Sequence, residues 1–333
     1  MVTRYHSAPD QTELGCLSQE RAEEIARLNE PGCSLSSVRL MSGGFTNFTH
    51  VIEAVTAKGN LFRIVVRRYS NLYQDPIEKA RVEFQALILL SANDIPAPTA
   101  LYVDETGAVL GAPGIVMSFI EGRQVVAPTS EKRWATNLAE VMARIHSIDL
   151  DQTERASLFD ADSIVAYYLE TDQLPEKLAL HPDGAEVWDT YLALRESAAQ
   201  VSLALLHTDF WMGNVLWQEG SISGVIDWET ASYGDPSLDV AYCRMDMQVT
   251  GFERAADYFL EAYEAFTDKP VENLELWELV AAAGVMPDPA IWLPFWQELG
   301  NDWSTPDTVR SNLRRFVADA LRKSAHSDLI RGK

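Results

Sequence analysis

The chain has 333 residues, 47% of them hydrophobic, which is enough to bury the cores of two domains. Its formal net charge of −22 opposes binding to nucleic acid and to anionic membranes, because both present negative charge. The longest uncharged run, 106–120, is too short and too often interrupted by Gly and Pro to span a bilayer, and the first thirty residues contain no apolar signal core.

The first 120 residues predict several strands with helices beside them. Ser18 is placed to cap a short amphipathic helix that continues to Leu28. Strand-like segments follow at 37–40, 48–55, 61–68 and 114–122, and a helical apolar pattern covers 77–90. The first two strands are joined through Ser42, Gly43, Gly44 and Phe45; a Gly-Gly turn taken alone is more typical of a plain hairpin.

A domain boundary is predicted between 121 and 128, where Gly122 and Pro128 break the pattern. We expect an N-lobe at 1–121 and a C-lobe at 122–333. An apolar stripe at helical spacing opens the C-lobe, and it indicates a core helix; its members are Trp134, Leu138, Val141, Met142 and Ile145.

The segment 207–227 carries the most informative side chains. Asp209 and Asn214 lie between short apolar segments, and Asp227 follows a third one. A lone Asp can accept a proton from an attacking hydroxyl, while Asn and Asp oxygens can hold Mg²⁺, which prefers oxygen ligands. The spacing predicts phosphoryl transfer, with Asp209 as the base and Asn214 and Asp227 as metal ligands.

The residues around these three side chains predict a hairpin. Strand-length segments at 215–217 and 222–226 are separated by Gln218-Glu219-Gly220-Ser221, in which Gly220 can supply a positive φ. The alternative is that these three are ordinary polar loop residues, and the flanking strands argue against it.

The block from His207 to Asp239 resembles the aminoglycoside phosphotransferase and choline kinase-like family. The resemblance rests on His207-x-Asp209-x(4)-Asn214, on Ile226-Asp227-Trp228-Glu229 and on Gly234-Asp235-Pro236-Ser237-Leu238-Asp239. It implies an α+β bilobal protein-kinase-like fold, with an antiparallel sheet plus helix in the N-lobe and a mainly helical C-lobe that contains a catalytic hairpin. The sequence departs from the family pattern at Thr208, where Gly is common, and at Met212, where Pro is frequent.

The resemblance also implies a nucleotide site in the N-lobe. Ser42, Gly43, Gly44 and Phe45 match the family's nucleotide loop, Arg67 matches its strand cation, and Glu83 is the helical carboxylate expected to hold Arg67. Arg68 is the alternative to Arg67. Met117 would border the adenine, with backbone groups of Ser118 and Ile120 meeting the base. The implied cofactors are ATP, with GTP not excluded, and Mg²⁺.

The acidic residues are unevenly distributed and bear on the substrate. Residues 1–120 have a net charge of −3, and residues 121–333 a net charge of −19. Such a field would attract a cationic hydroxyl compound such as an aminoglycoside, although an acidic surface can equally serve solubility. Other small-molecule acceptors of the family, among them choline, homoserine and sugars, remain alternatives.

Two other functional classes fit less well. A regulatory pseudokinase is disfavoured because Asp209, Asn214 and Asp227 are all present, and a protein kinase is disfavoured because no Ala-Pro-Glu motif follows Asp227. Cys16, Cys33 and Cys243 lack metal or disulfide spacing, which predicts a reducing, cytoplasmic location. We expect a monomer or homodimer without nucleic-acid or membrane partners.

Overall fold

The computed structural model describes residues 15–41, 47–70, 75–169 and 173–331. The chain divides into two compact units, which are described separately. Unit 1 comprises 1–121 and 223–230, and unit 2 comprises 122–222 and 231–333. The short segment 223–230, which the sequence analysis assigned to the C-lobe, thus groups with unit 1. Within that unit, Val225 N–H donates to Pro96 O at 2.8 Å.

Unit 1 is built on a five-stranded antiparallel sheet. Its elements are α1 (Gln19–Asn29), β1 (Ser34–Leu40), β2 (Asn47–Val55), β3 (Leu61–Tyr69), α2 (Pro76–Ala92), β4 (Ala100–Asp104) and β5 (Gly114–Ser118). The strand order is β1-β2-β3-β5-β4. β4 was not predicted: its side chains do not alternate cleanly between buried and exposed.

Local sequence explains where the two helices of unit 1 begin. The Ser18 side chain accepts a hydrogen bond from Arg21 N, so it caps α1 as the sequence predicted. The Asp75 side chain accepts from Ile77 N, and Pro76 occupies the first turn of α2, where a missing N–H costs nothing. The inner face of α1 packs on the sheet through buried residues that include Ile25, Ile52 and Val66.

The remaining strands form two small sheets. They are β6 (Arg123–Gln124), β7 (Phe159–Asp160), β8 (Ala204–Leu206), β9 (Val215–Gln218), β10 (Ser221–Val225) and β11 (Ser232–Gly234), ordered β10-β9-β6 and β7-β11-β8. β9 and β10 are the hairpin that the sequence predicted. Gly220 has a φ of 81°, the positive value that its place in the turn predicted, and Glu219 before it also has a positive φ, of 52°.

Helices make up most of unit 2. They are α3 (Glu131–His146), α4 (Gln152–Ala156), α5 (Ala161–Leu169), α6 (Glu176–Ala179), α7 (Gly184–Glu196), α8 (Ser237–Val249), α9 (Glu253–Thr267), α10 (Leu274–Val285), α11 (Leu293–Glu298) and α12 (Pro306–Arg331). The predicted stripe of α3, from Trp134 to Ile145, is buried. A second core joins α8, α10 and α12 through residues such as Met245, Leu279 and Phe316.

Among the described residues, no single helix has the length and apolar character needed to cross a membrane. One bent pair, Leu274–Val285 with Pro289–Glu298 at 68°, meets the length and composition criteria together.

A buried ion pair links α8 to α10 within the core of unit 2. Arg244 Nε donates to Glu278 Oε1 at 3.0 Å, and each side chain is 2% exposed. Arg244 Nη1 also donates to Ala256 O, so the guanidinium joins α8 to α9 as well. Burying two charges is favourable only when each meets the other with good geometry.

We therefore expect Arg244→Met to lower the free energy of unfolding by about 3–5 kcal/mol, because Glu278 would stay buried without its cation. The measurement is urea denaturation at neutral pH. The control is Arg322→Met, which removes an exposed partner of Asp319 and should cost less than about 1 kcal/mol. Equal losses in the two variants would contradict the assigned role of the buried pair.

Candidate active site

Arg67 lies near the end of β3, with its guanidinium held by three carboxylates of unit 1. Nη1 donates to Glu83 Oε1 at 2.9 Å, and Nη2 donates to Asp227 Oδ1 at 2.5 Å and to Glu229 Oε2 at 3.1 Å. Burial disfavours the charge of Arg67, but the three carboxylates outweigh it and raise the pKa well above its ordinary value. The cation and carboxylate expected from the sequence thus meet directly.

Glu83 is fully buried on α2, and hydrogen-bond donors satisfy both of its oxygens. Oε1 accepts from Arg67 and from Trp228 N at 3.2 Å, and Oε2 accepts from the Tyr69 hydroxyl. Burial raises the pKa of Glu83 to about 7, while Arg67 acts in the opposite direction. Because Trp228 follows Asp227, Glu83 also fixes the backbone next to the predicted metal ligand.

The two arginines of β3 have different surroundings because successive side chains of a strand point to opposite faces. Arg67 contacts the carboxylates, whereas Arg68 Nη2 donates to Gly15 O at 2.6 Å. The alternation places Arg67 in the candidate site, and it places Arg68 on the opposite face of the sheet, next to Gly15.

The residues predicted to border the base lie on and after β5. Met117 is 6% exposed and pairs with Val65 of β3, and the Ser118 N–H donates to Thr99 O at 2.9 Å. The Ser118 amide hydrogen is therefore engaged inside the sheet. The Ile120 side chain lies where a Cβ on Gly224 would be, at 2.5 Å. Ser42, Gly43, Gly44 and Phe45 lie outside the described residues.

In unit 2, Asn214 holds Asp209 in place. Asn214 Nδ2 donates to Asp209 O and to Asp209 Oδ2, both at 2.9 Å. Asn214 ends a short 3₁₀ turn, 212–214, that includes Gly213. A Cβ at Gly213 would lie 2.2 Å from the Trp211 ring, so any other residue there would require that ring to shift. The turn therefore fixes the separation between the predicted base and the predicted metal ligand.

Asp239 in the first turn of α8 anchors the start of the same loop. Its oxygens accept from His207 N and Thr208 N, each at 2.7 Å, and His146 Nε2 lies 3.2 Å from Oδ2. His207 is fully buried, and its Nδ1 accepts from Asp209 N at 3.3 Å. The Asp239 carboxylate thus holds the backbone of the loop, and the buried His207 side chain holds the Asp209 amide.

Asp235, just before α8, holds the start of that helix in place. Its Oδ1 accepts from Ser237 N at 2.9 Å, so it helps to start α8. Its Oδ2 accepts from Trp277 Nε1 at 2.8 Å, which fixes α8 to α10.

Comparison with known proteins identifies the chain. A family model described as "Phosphotransferase enzyme family" matches residues 37–274, well over half of the sequence. The chain belongs to the phosphotransferase enzyme family. The resemblance drawn from the His207–Asp239 block is confirmed by this match, which includes that block.

Individual relatives of this phosphotransferase are distant. The 4-hydroxytryptamine kinase of Psilocybe cyanescens is 22% identical, over 84% of this chain and 87% of the relative. Acyl-CoA dehydrogenase family member 10 of Mus musculus is 24% identical over 48% of this chain, and the match covers only 16% of that relative. The family match, together with the match to a kinase over most of both chains, confirms that the chain is a small-molecule kinase.

A solved structure shows the same fold. Choline kinase LicA from Streptococcus pneumoniae superposes with a TM-score of 0.56 and 20% identity, over 90% of this chain and 97% of that chain. The predicted α+β bilobal protein-kinase-like fold is confirmed, with the antiparallel sheet in unit 1 and most helices in unit 2.

The structure of this phosphotransferase adds charged and polar residues that sequence reasoning missed. Glu229 binds Arg67 and also accepts from Asn47 Nδ2. Lys79 is buried on α2 four residues before Glu83, a spacing that places two helical side chains on one face. That spacing was the available sequence signal, but burial of a Lys is too rare for it to be expected.

Asp246 of α8 is a further missed residue of this phosphotransferase. It is 9% exposed, and its carboxylate has no hydrogen bond or ion pair with any described residue. Burial alone raises its pKa to about 7. It lies seven residues after Asp239, about two turns along the same side of α8.

The backbone conformation of Thr208 is one that favours glycine, the residue common in the family at this position. Its φ is +65°, the left-handed region that a β-branched side chain adopts at a cost of about 1–2 kcal/mol. The hydrogen bond from Thr208 N to Asp239 Oδ1 helps to hold this conformation. The loop thus stays hydrogen-bonded at the position where the sequence departs from the family pattern, and Thr208 carries the backbone strain.

We predict that Thr208→Gly is more stable than Thr208→Ala by about 1 kcal/mol, because both remove the side chain but only Gly relieves the positive φ. Urea denaturation of both variants provides the measurement. The control is Glu140, an exposed residue within α3. There Ala should be more stable than Gly by about 1 kcal/mol. The same order at both positions would show that Thr208 carries no backbone strain.

Asp246 predicts a pH dependence of stability. Between its ordinary pKa near 4 and the folded value of about 7, the folded protein keeps a proton that the unfolded chain has lost. Stability should therefore decrease as the pH rises through that window. Asp246→Asn removes this contribution, and we expect its stability to fall less than that of the wild type between pH 5 and pH 8. Parallel curves from urea denaturation at the two pH values would contradict this.

Proposed function

We propose that this kinase transfers the γ-phosphate of ATP to a hydroxyl group of a small cationic molecule. The observation that carries the proposal is the Arg67–Glu83 ion pair, in which a strand cation is fixed by a buried helical carboxylate and also reaches Asp227. Phosphoryl transfer depends on such fixed cations, because positioning and charge neutralisation provide most of the catalysis. GTP is the alternative donor.

We assign the proton-accepting role to Asp209. The hydrogen bonds from Asn214 hold one of its oxygens and its backbone, so the carboxylate has a defined orientation. A general base needs that orientation before it can take a proton from an attacking hydroxyl. His207 is buried beneath the loop with Nδ1 already bonded, which makes it a poor alternative base.

We assign Asn214 and Asp227 as ligands of Mg²⁺, and their chemistry fits that ion. The Asn214 amide nitrogen donates to Asp209, so its carbonyl oxygen is the atom that can meet a cation. Asp227 offers carboxylate oxygens, and its side chain is 35% exposed. Mg²⁺ takes hard oxygen ligands, and when bound it would neutralise charge on the phosphates. Within the described residues, no cluster of three or more His, Cys, Asp or Glu side chains forms a metal site.

Several observations support a cationic acceptor. The printed names of the relatives include a 4-hydroxytryptamine kinase and a choline kinase, and both of these named compounds combine a hydroxyl with a nitrogen cation. Residues 121–333 have the large excess of acidic side chains described above. Asp246, on the same side of α8 as Asp239, adds a buried carboxyl group that is negatively charged above its raised pKa of about 7. Aminoglycoside-like compounds and amino alcohols both belong to this class.

The alternative acceptors are uncharged hydroxyl compounds such as sugars, or the amino acid homoserine, since a homoserine kinase of Polaromonas naphthalenivorans (strain CJ2) is also a relative at 21% identity. The alternative of another class, a nucleotide-binding regulatory pseudokinase, predicts nucleotide binding without turnover. A panel of acceptors separates these possibilities.

We predict that Asp209→Asn lowers kcat by about 10²–10⁴-fold with the acceptor that the wild type uses best, because the general base is lost. The measurement is acceptor-dependent ADP release across a panel of cationic and uncharged hydroxyl compounds. The control is Asp189→Asn, an equal change at an exposed position of α7, which should leave turnover unchanged.

Three outcomes of that assay would contradict parts of the proposal. Full turnover by Asp209→Asn would remove Asp209 as the base. Turnover only with uncharged acceptors would reject the cationic class. No turnover of any acceptor, with nucleotide binding retained in a separate titration, would favour the pseudokinase.

A further inference from the structure

Lys79 is a buried cation that the proposed roles do not use. It lies in the first turns of α2 and is 2% exposed. Lys is almost never fully buried unless negative groups compensate its charge. Because Lys79 precedes Glu83 by four residues, both side chains lie on the face of α2 that carries the Arg67 ion pair.

The charges around Lys79 are those of the candidate nucleotide site. Burial lowers the pKa of Lys79, Arg67 lowers it further, and Glu229, Asp227 and Glu83 oppose both, with Glu229 having the strongest influence of the three. Because Lys79 is buried on the same face of α2 as Glu83, it adds a second cation to the three carboxylates that hold Arg67, all within unit 1. A second cation among them reduces the cost of burying the third carboxylate.

Arg67 alone cannot serve every group in this cluster once nucleotide binds. Its Nη2 is shared between Asp227 at 2.5 Å and Glu229 at 3.1 Å. In the proposed function Asp227 is needed by the metal, and Arg67 is needed by the phosphates. When Nη2 turns to phosphate, Glu229 loses this cationic contact, and the Asn47 amide that also donates to Glu229 brings no positive charge.

We infer that Lys79 is a positioning residue of the nucleotide site, whose ammonium balances Glu229 so that Arg67 can exchange carboxylate contacts for nucleotide phosphate. The inference rests on the proposed function and assigns a role to a residue outside the family motif. The chemistry of the two side chains fits these separate roles. The Lys79 ammonium is a compact charge on a flexible stem, whereas the Arg67 guanidinium fork suits bidentate contact with phosphate.

The test is a double-mutant cycle on Lys79 and Glu229, with binding of the ATP analogue AMP-PNP in Mg²⁺ measured by titration calorimetry. We expect Lys79→Met to raise the Kd roughly tenfold, because Arg67 must then stay with Glu229. In the Glu229→Gln background the same change should raise the Kd by less than about threefold, since the charge that Lys79 balances is gone. In steady-state assays Lys79→Met should raise the KM for ATP and change kcat by less than about threefold.

The control is Lys58→Met, an identical change at the exposed turn between β2 and β3, which should leave the Kd unchanged. An equal rise of the Kd in both Glu229 backgrounds would overturn the inference, because it would mean that Lys79 contacts the nucleotide itself. An unchanged Kd in Lys79→Met would overturn it as well.

Two further outcomes are decisive. If Lys79→Met does not fold, the double variant Lys79→Met/Glu229→Gln becomes the test, because it removes both charges together. It should fold and bind AMP-PNP as Glu229→Gln does, and loss of folding or tenfold weaker binding would overturn the inference.

If the wild type binds neither AMP-PNP nor the GTP analogue GMP-PNP, the proposed function fails together with the inference, whereas normal wild-type binding limits any failure to Lys79.

Discussion

The candidate nucleotide site depends on the ion pairs of the buried Arg67 guanidinium. The guanidinium joins β3, α2 and the segment 226–229 through Glu83, Asp227 and Glu229. A charge placed at 7% exposure is tolerable only because carboxylates surround it, so each member of the cluster fixes the others.

In unit 2, hydrogen bonds from backbone and side-chain amides to two carboxylates hold the loop around Asp209. Asp239 accepts from two consecutive loop amides, and Asn214 holds Asp209 from the other end of the loop. This arrangement keeps Thr208 at a positive φ that its side chain opposes. Backbone strain of this kind is tolerated where the surrounding structure holds one conformation, and here that conformation orients the predicted base.

Much of the fold was predictable because it follows local rules. Ser18 and Asp75 are capping side chains, the α3 stripe has helical periodicity, and Gly220 marks the hairpin turn. Such signals lie within a few residues of one another, so no knowledge of distant contacts is required. β4 escaped prediction because its side chains do not alternate cleanly between buried and exposed, and the two-residue strands β6 and β7 escaped it because they pair with partners far along the chain.

The sequence by itself determined the family and the fold class, and it predicted roles for Asp209, Asn214 and Asp227, because these inferences depend on residue type and spacing. Tertiary structure alone decided which arginine of β3 meets the carboxylates, that 223–230 groups with unit 1, and that Lys79 and Asp246 are buried. The physical reason is that burial and charge pairing arise between residues as far apart as 67 and 227, and no local pattern encodes such distances.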